Sequence, residues 1–137
     1  MKLENHTSLR TVISGSYRKH LKQLMELKTQ LEAHGIIVLS PVGAYALNPN
    51  EEFVFLNADP ISDHRLLQDS IFGKMRTASF HVLANVDRYI GNAALMELGY
   101  AIALGLQILT LEPVEDPNIS PYCRDLTLVL PEIFSRS

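Results

Sequence analysis

One cysteine, Cys123, occurs in the 137 residues, and tryptophan is absent. A lone thiol excludes an internal disulfide and gives no metal-binding spacing, so a reducing cytoplasm is the expected setting. The histidines (His6, His20, His34, His64, His81) are scattered without ligand spacing, and neither a metal nor a cofactor is expected. A strong charge imbalance is missing too. The formal net charge of −3 provides no basic field, which disfavours a nucleic-acid polymer as partner while leaving room for a small nucleotide held by local donors. No apolar run is long enough to span a membrane without Glu97 interrupting it, and the opening MKLENHTSLR has no signal-like apolar core. Repeats and low-complexity tracts are also lacking. What remains, 47% hydrophobic and 20% charged, is the composition of an ordinary globular protein. It predicts one domain over residues 1–137, large enough to bury a core.

Residues 1–9 are polar and are expected to fray. Thr11-Val12-Ile13 is a β-branched run that stops at Ser14-Gly15-Ser16, the pattern of a strand followed by a small-residue turn. Leu21, Leu24, Leu27 and Leu31 recur at helical spacing between Arg18 and His34, with Gly35 as the cap. Ile36 to Leu39 reads as a buried strand. Together these make a βαβ unit, whose crossover is right-handed in nearly all cases.

Residues 40–62 hold three prolines around an apolar island, Phe53 to Leu56. The island predicts either a short strand or a loop packed over a binding site. A helix is expected from Ser62 or Asp63, one of them its N-cap, to Ala78, weakened by Gly73. His81 to Val86 reads as a third strand and Leu106 to Leu111 as a fourth. After a Pro-punctuated loop, Asp125 to Leu130 (DLTLVL) reads as a fifth. Alternating strands and helices predict an α/β three-layer sandwich on a five-stranded, mainly parallel sheet. Periodicity leaves flavodoxin-like and Rossmann-like strand orders open.

Between the third and fourth strands, YIGNAALMELGYAIALGLQILTL (Tyr89 to Leu111) is apolar almost throughout, and Glu97 is its only formally charged residue. A helix apolar on nearly every face is buried, and a carboxylate there costs several kcal/mol unless it is paired or hydrogen-bonded. One reading is purely structural, with Glu97 held by a Tyr or by the backbone. The other is chemical. Glu97 falls within about two turns of the helix start, where the macrodipole favours an anion, and at the carboxyl edge of the sheet, where such folds bind ligands.

The run from Tyr89 to Leu111 resembles the signature of the nucleoside 2-deoxyribosyltransferase-like superfamily, which includes deoxynucleoside 5′-monophosphate N-hydrolases. Ser14 to Arg18 (SGSYR) is similar to the Gly-Ser-x-Arg loop after that family's first strand. The likeness covers about Arg10 to Leu111. It implies that Glu97 is the nucleophile attacking the anomeric carbon and that a second carboxylate, from the segment before the third strand, assists. Asp69 is preferred over Asp63 for that second role because it lies nearer the strand. Many relatives carry Asp or Ser six positions before the Glu; here that position is Gly91, so a contact there falls to the backbone N–H, with Asn92 beside it.

The substrate-binding candidates are therefore Ser14, Gly15, Ser16, Tyr17, Arg18, Asn85, Gly91 and Asn92. The Ser14-Gly15-Ser16 turn meets a helix start, an arrangement suited to an anion, and Arg18 can add a bidentate phosphate contact. Tyr17 is suited to stacking on base or sugar and equally to the core or its rim. The expected function is cleavage of the N-glycosidic bond of a nucleoside 5′-monophosphate or nucleoside, by hydrolysis or base transfer, in a homodimer or larger homo-oligomer. The alternative is a non-catalytic nucleotide-binding module on the same fold. A flavodoxin-type flavin carrier or a receiver domain shares the layer pattern. A receiver, however, needs acidic residues where the first strand here ends in Ser14-Gly15.

Overall fold

Thr11, Val12 and Ile13 are fully or almost fully buried, which β-branched side chains tolerate best in a strand covered on both faces. A computed structural model describes residues 9–43, 46–51, 54–59 and 63–134. In it this run is the centre of β1 (Arg10–Ser14). Successive side chains of a strand point to opposite faces. Ile13 joins an apolar cluster with Leu24, Leu27 and Leu31, whereas Val12 joins one with Met75, Ala94 and Leu98. The first cluster is the underside of α1 (Tyr17–Ala33) and the second is that of α2 (His64–Met75) and α3 (Asn92–Ala103). Helices thus cover both faces of the sheet.

The other strands are β2 (Ile37–Ser40), β3 (Phe80–Leu83), β4 (Ile108–Thr110) and β5 (Cys123–Asp125). Their order is β2-β1-β3-β4-β5 and every pairing is parallel. This is the flavodoxin-like order, and its switch point lies between β1 and β3, where the chain leaves in opposite directions and a crevice opens at the carboxyl ends.

Both helix stops read from the sequence have a physical basis. Gly35 and Gly105 adopt φ of 84° and 76°. The turns close through Gly35 N to Glu32 O and Ile36 N to Leu31 O, and through Gly105 N to Ile102 O and Leu106 N to Ala101 O. That paired bonding is the Schellman motif, which needs a residue at ease with positive φ. Asp63 caps α2 by accepting from Leu66 N.

Several boundaries differ from the sequence reading, three of them in ways that change an element. Residues 126–130 do not extend a fifth strand. The strand is the preceding Cys-Arg-Asp, after which the Asp125 carboxylate accepts from Thr127 N and turns the chain into α4 (Leu126–Val129), followed by α5 (Pro131–Phe134). β3 ends at Leu83, ahead of a 3-10 turn over Val86–Arg88. The island before α2 makes one isolated antiparallel bridge, Ala46 to Leu56, and no longer strand among its described residues. Residues 1–8, Phe53 and Ser62 lie outside the described residues. Among those described, no helix is long and apolar enough to cross a membrane.

Candidate active site

Alternation along the sheet determines what faces α3. Ser14 points to the same side as Val12, and in the parallel register Val12 stands beside His81 and Ser14 beside Leu83. Ser14 and His81 therefore share the face covered by α2 and α3. Glu97, in the second turn of α3, descends onto them.

Glu97 is 7% exposed, and both its oxygens are occupied. Oε1 accepts from Ser14 Oγ at 2.5 Å, and Oε2 accepts from Gln68 Nε2 at 2.7 Å. Beneath them, Ser14 Oγ lies 2.7 Å from His81 Nε2. Burial pushes the Glu97 carboxyl above the usual carboxylate range, and the bonds from Ser14 and Gln68 pull it back. Burial also drives His81 down to about 4, so its imidazole is neutral at physiological pH. Its other nitrogen, Nδ1, is buried with no hydrogen-bond partner among the described residues.

Above Glu97 is a cavity of about 310 Å³ at the carboxyl edge between β1 and β3, at the lower end of the range for small-molecule sites. The turn after β1 contributes Gly15 and Ser16, and the first turn of α1 Tyr17 and Arg18; β2 ends in it with Ser40; α2 offers Leu67, Gln68 and Ile71; Tyr89 and the start of α3 close the far side. Val54 and Asp59, from the irregular stretch before α2, complete the wall. The Asp59 carboxylate also accepts from Leu56 N at 2.7 Å, tying its own loop.

Two helices begin at this cavity. Ser16 caps α1, its hydroxyl accepting from Lys19 N at 3.1 Å. Gly91 begins α3 with no side-chain cap, which leaves the first-turn N–H groups beside the cavity to a ligand or solvent. Tyr17 is half-buried; desolvation of its hydroxyl, then the charges of Glu97 and Asp59, hold its phenol protonated against a contact with Ser40 Oγ at 3.4 Å. Lys19 Nζ stands 3.9 Å from the centroid of the Tyr89 ring, a cation–π geometry.

Most of the residues singled out in the sequence converge here: Gly15, Ser16, Tyr17, Arg18, Gly91, Asn92 and Glu97 line one cavity. Ser14 is buried below it, bonded to Glu97 rather than to the opening. Asp69 and Asn85 are elsewhere. Asp69 sits on the outer face of α2 with its side chain 56% exposed, 3.7 Å from Arg65 one turn away. Asn85 is 1% exposed and spends its amide on the Glu112 backbone, donating to O and accepting from N at 2.9 Å each. It ties the end of β3 to the loop after β4.

Sequence reasoning missed Gln68, His81, Ser40 and Asp59. Gln68 had a signal, because Leu67, Ile71 and Met75 mark the inward stripe of α2 and Gln68 borders it, while Asp69 is a further 100° round. Asp59 had none, lying in a stretch without periodicity. Among the described residues no three His, Cys, Asp or Glu side chains are grouped to hold a metal ion. Compared with protein-family models, with curated proteins and with solved structures, the chain matches none.

Proposed function

We propose that the protein cleaves the N-glycosidic bond of a nucleoside 5′-monophosphate, with Glu97 as nucleophile. One observation carries the reading: a buried carboxylate, oriented through both oxygens by Ser14 and Gln68, forms part of the wall of a cavity at the switch point of the sheet. Glycosidic cleavage needs such a group because its transition state is oxocarbenium-like and is stabilised, or captured, by a carboxylate. A Glu97 oxygen bonds to C1′ as the C1′–N bond breaks, and that electron pair leaves with the base. The base takes up a proton, for which Asp59 is the second carboxyl group among the described residues of the wall, in the role the resemblance gave to Asp69. Water then attacks C1′, gives its proton to the same group and releases Glu97. A second base in place of water turns hydrolysis into transfer.

Three features support a phosphorylated substrate. Arg18 lines the cavity, the Gly15-Ser16 turn leads into α1, and the start of α3 is uncapped. Tyr17 and Tyr89, with Leu67 and Ile71, provide apolar wall for a base and sugar. The resemblance to nucleoside 2-deoxyribosyltransferase-like proteins points the same way. A cytoplasmic setting, where nucleotides are made and consumed, belongs to this reading. So does a homo-oligomer, because α3 turns Leu95 and Met96 outward at 47% and 50% exposure. Tyr100 is not part of that face; it packs on Phe72 and accepts from Arg76 at 2.8 Å within its own chain. Sedimentation tests the oligomer: a single species at monomer mass contradicts it.

A second reading is a nucleotide-binding module without turnover, favoured by the upward push of burial on Glu97, since a protonated carboxyl is no nucleophile. Incubation with a panel of nucleoside monophosphates separates the two. Free base from the parent and none from Glu97→Ala supports the enzyme. Tight binding with no base from either supports the module.

A further inference from the structure

Below the cavity, the hydrogens of the His81–Ser14–Glu97 chain can be assigned by counting. Ser14 has one hydroxyl proton and two neighbours, His81 Nε2 at 2.7 Å and Glu97 Oε1 at 2.5 Å. With the proton aimed at Glu97, Ser14 Oγ accepts from a protonated Nε2 and Glu97 is a carboxylate. With the proton aimed at His81, Nε2 is bare, Nδ1 carries the ring hydrogen, and Glu97 must donate as a carboxylic acid. The neutral imidazole permits either arrangement. Its surroundings do not treat them alike. His81 is 0% exposed, with Val12 and Ile108 beside it in the sheet register, and Nδ1 meets no polar partner among the described residues. A buried N–H left without an acceptor is rarer than an acceptor left without a donor.

We infer that His81 is a positioning residue for Glu97: its unpartnered Nδ1 keeps the ring hydrogen on Nε2, which turns the Ser14 hydroxyl toward Glu97 and holds that side chain as the carboxylate that attacks. His81 touches no substrate and acts only through Ser14. Gln68 contributes a second donor at the other oxygen, so the nucleophile sits between two donors whose directions are set from below and from α2. The catalytic part of this inference rests on the glycosidase reading; the direction of the relay does not.

Among the described residues, the titratable and charged groups that line the cavity with Glu97 are Tyr17 and Arg18 from the start of α1, Asp59 from the segment before α2, and Tyr89 from the loop after β3. None of these changes in the variants proposed. Two-bond proton–nitrogen correlation spectra of the parent, labelled at histidine, read the His81 tautomer directly. The expected result is hydrogen on Nε2 and a bare Nδ1; hydrogen on Nδ1, or a cationic ring at neutral pH, overturns the relay. Carbon-13 titration of the Glu97 carboxyl gives an independent measure. Its midpoint should move to higher pH in Ser14→Ala and in His81→Phe, and return toward the parent in His81→Gln, whose amide can still donate to Ser14. A midpoint unmoved in Ser14→Ala contradicts the inference, even should the His81 variants fail to fold. In the enzyme, base release at neutral pH should fall at least about tenfold in His81→Phe, with the acid limb of its pH profile shifted the same way. A merely structural role would lower the rate and leave the limb in place. A parent with the Nε2 tautomer and no base release supports the relay and refutes the glycosidase reading alone.

Discussion

Glu97 is held against its own desolvation, and that tension can be measured. A carboxyl raised above its unfolded value takes up a proton on folding, so its contribution to stability is whole below about 4.5 and is lost as pH rises through the folded value. Glu97→Gln removes that loss, and Gln68 can turn its amide to suit the new partner. The variant should be at least as stable as the parent in urea at pH 8, while base release drops by roughly 10³-fold or more. Loss of both stability and activity would identify Glu97 as a structural residue. His81 works in the opposite direction. Its value is lowered from 6.5 to about 4, so stability present above 6.5 falls away as pH drops toward 4, by roughly 3 kcal/mol. The two aspartates make a second residue-scale test. Asp59→Asn should lower the rate about 10²-fold, whereas Asp69→Asn should change it by less than about twofold, because its partner is the exposed Arg65. Equal losses in steady-state assays would return Asp69 to the site.

At the scale of elements, the candidate site depends on how closely the loop after β1 approaches its neighbours. A Cβ on Gly15 would lie 2.9 Å from both Leu24 methyl carbons and 3.1 Å from the Ala84 carbonyl oxygen. Leu24 is fully buried and Ala84 O is backbone, so neither yields cheaply. Gly15→Ala should cost about 1–3 kcal/mol in urea unfolding and raise KM, since Ser16, Tyr17 and Arg18 follow directly. An unchanged KM would separate the turn from substrate binding. Elements with their own periodicity were legible in the sequence: the leucine stripe of α1, the β-branched β1, and the apolar α3 with its glycine stop. β5 was not, because three residues, two of them charged, carry no strand signal. DLTLVL alternates like a strand, yet Asp125 accepts from both the amide and the hydroxyl of Thr127, and that local bond overrides the pattern. Asp59 was illegible for a different reason. Its position on the wall is decided by how the stretch before α2 folds back, which no local pattern encodes.

Across the whole molecule, the switch point between β1 and β3 brings together parts far apart in sequence. Residues 14–18, 40, 54–59, 67–71 and 89–97 meet at one edge of the sheet. The nucleophile candidate was readable because a single charge in an apolar helix is conspicuous. What supports it was not, since Gln68 and His81 acquire meaning only once α2 and β3 are packed beside α3. The central claim is that Glu97 bonds to the sugar, and a covalent intermediate is its direct signature. The protein should be mixed with a nucleoside 5′-monophosphate that it cleaves, quenched in acid within the first turnover, digested and weighed by mass spectrometry. The peptide containing Glu97 should gain the mass of the phosphorylated sugar residue, with free base released in equal amount. Base released while the adduct forms on another residue, or no base released from any nucleoside monophosphate tried, would contradict it.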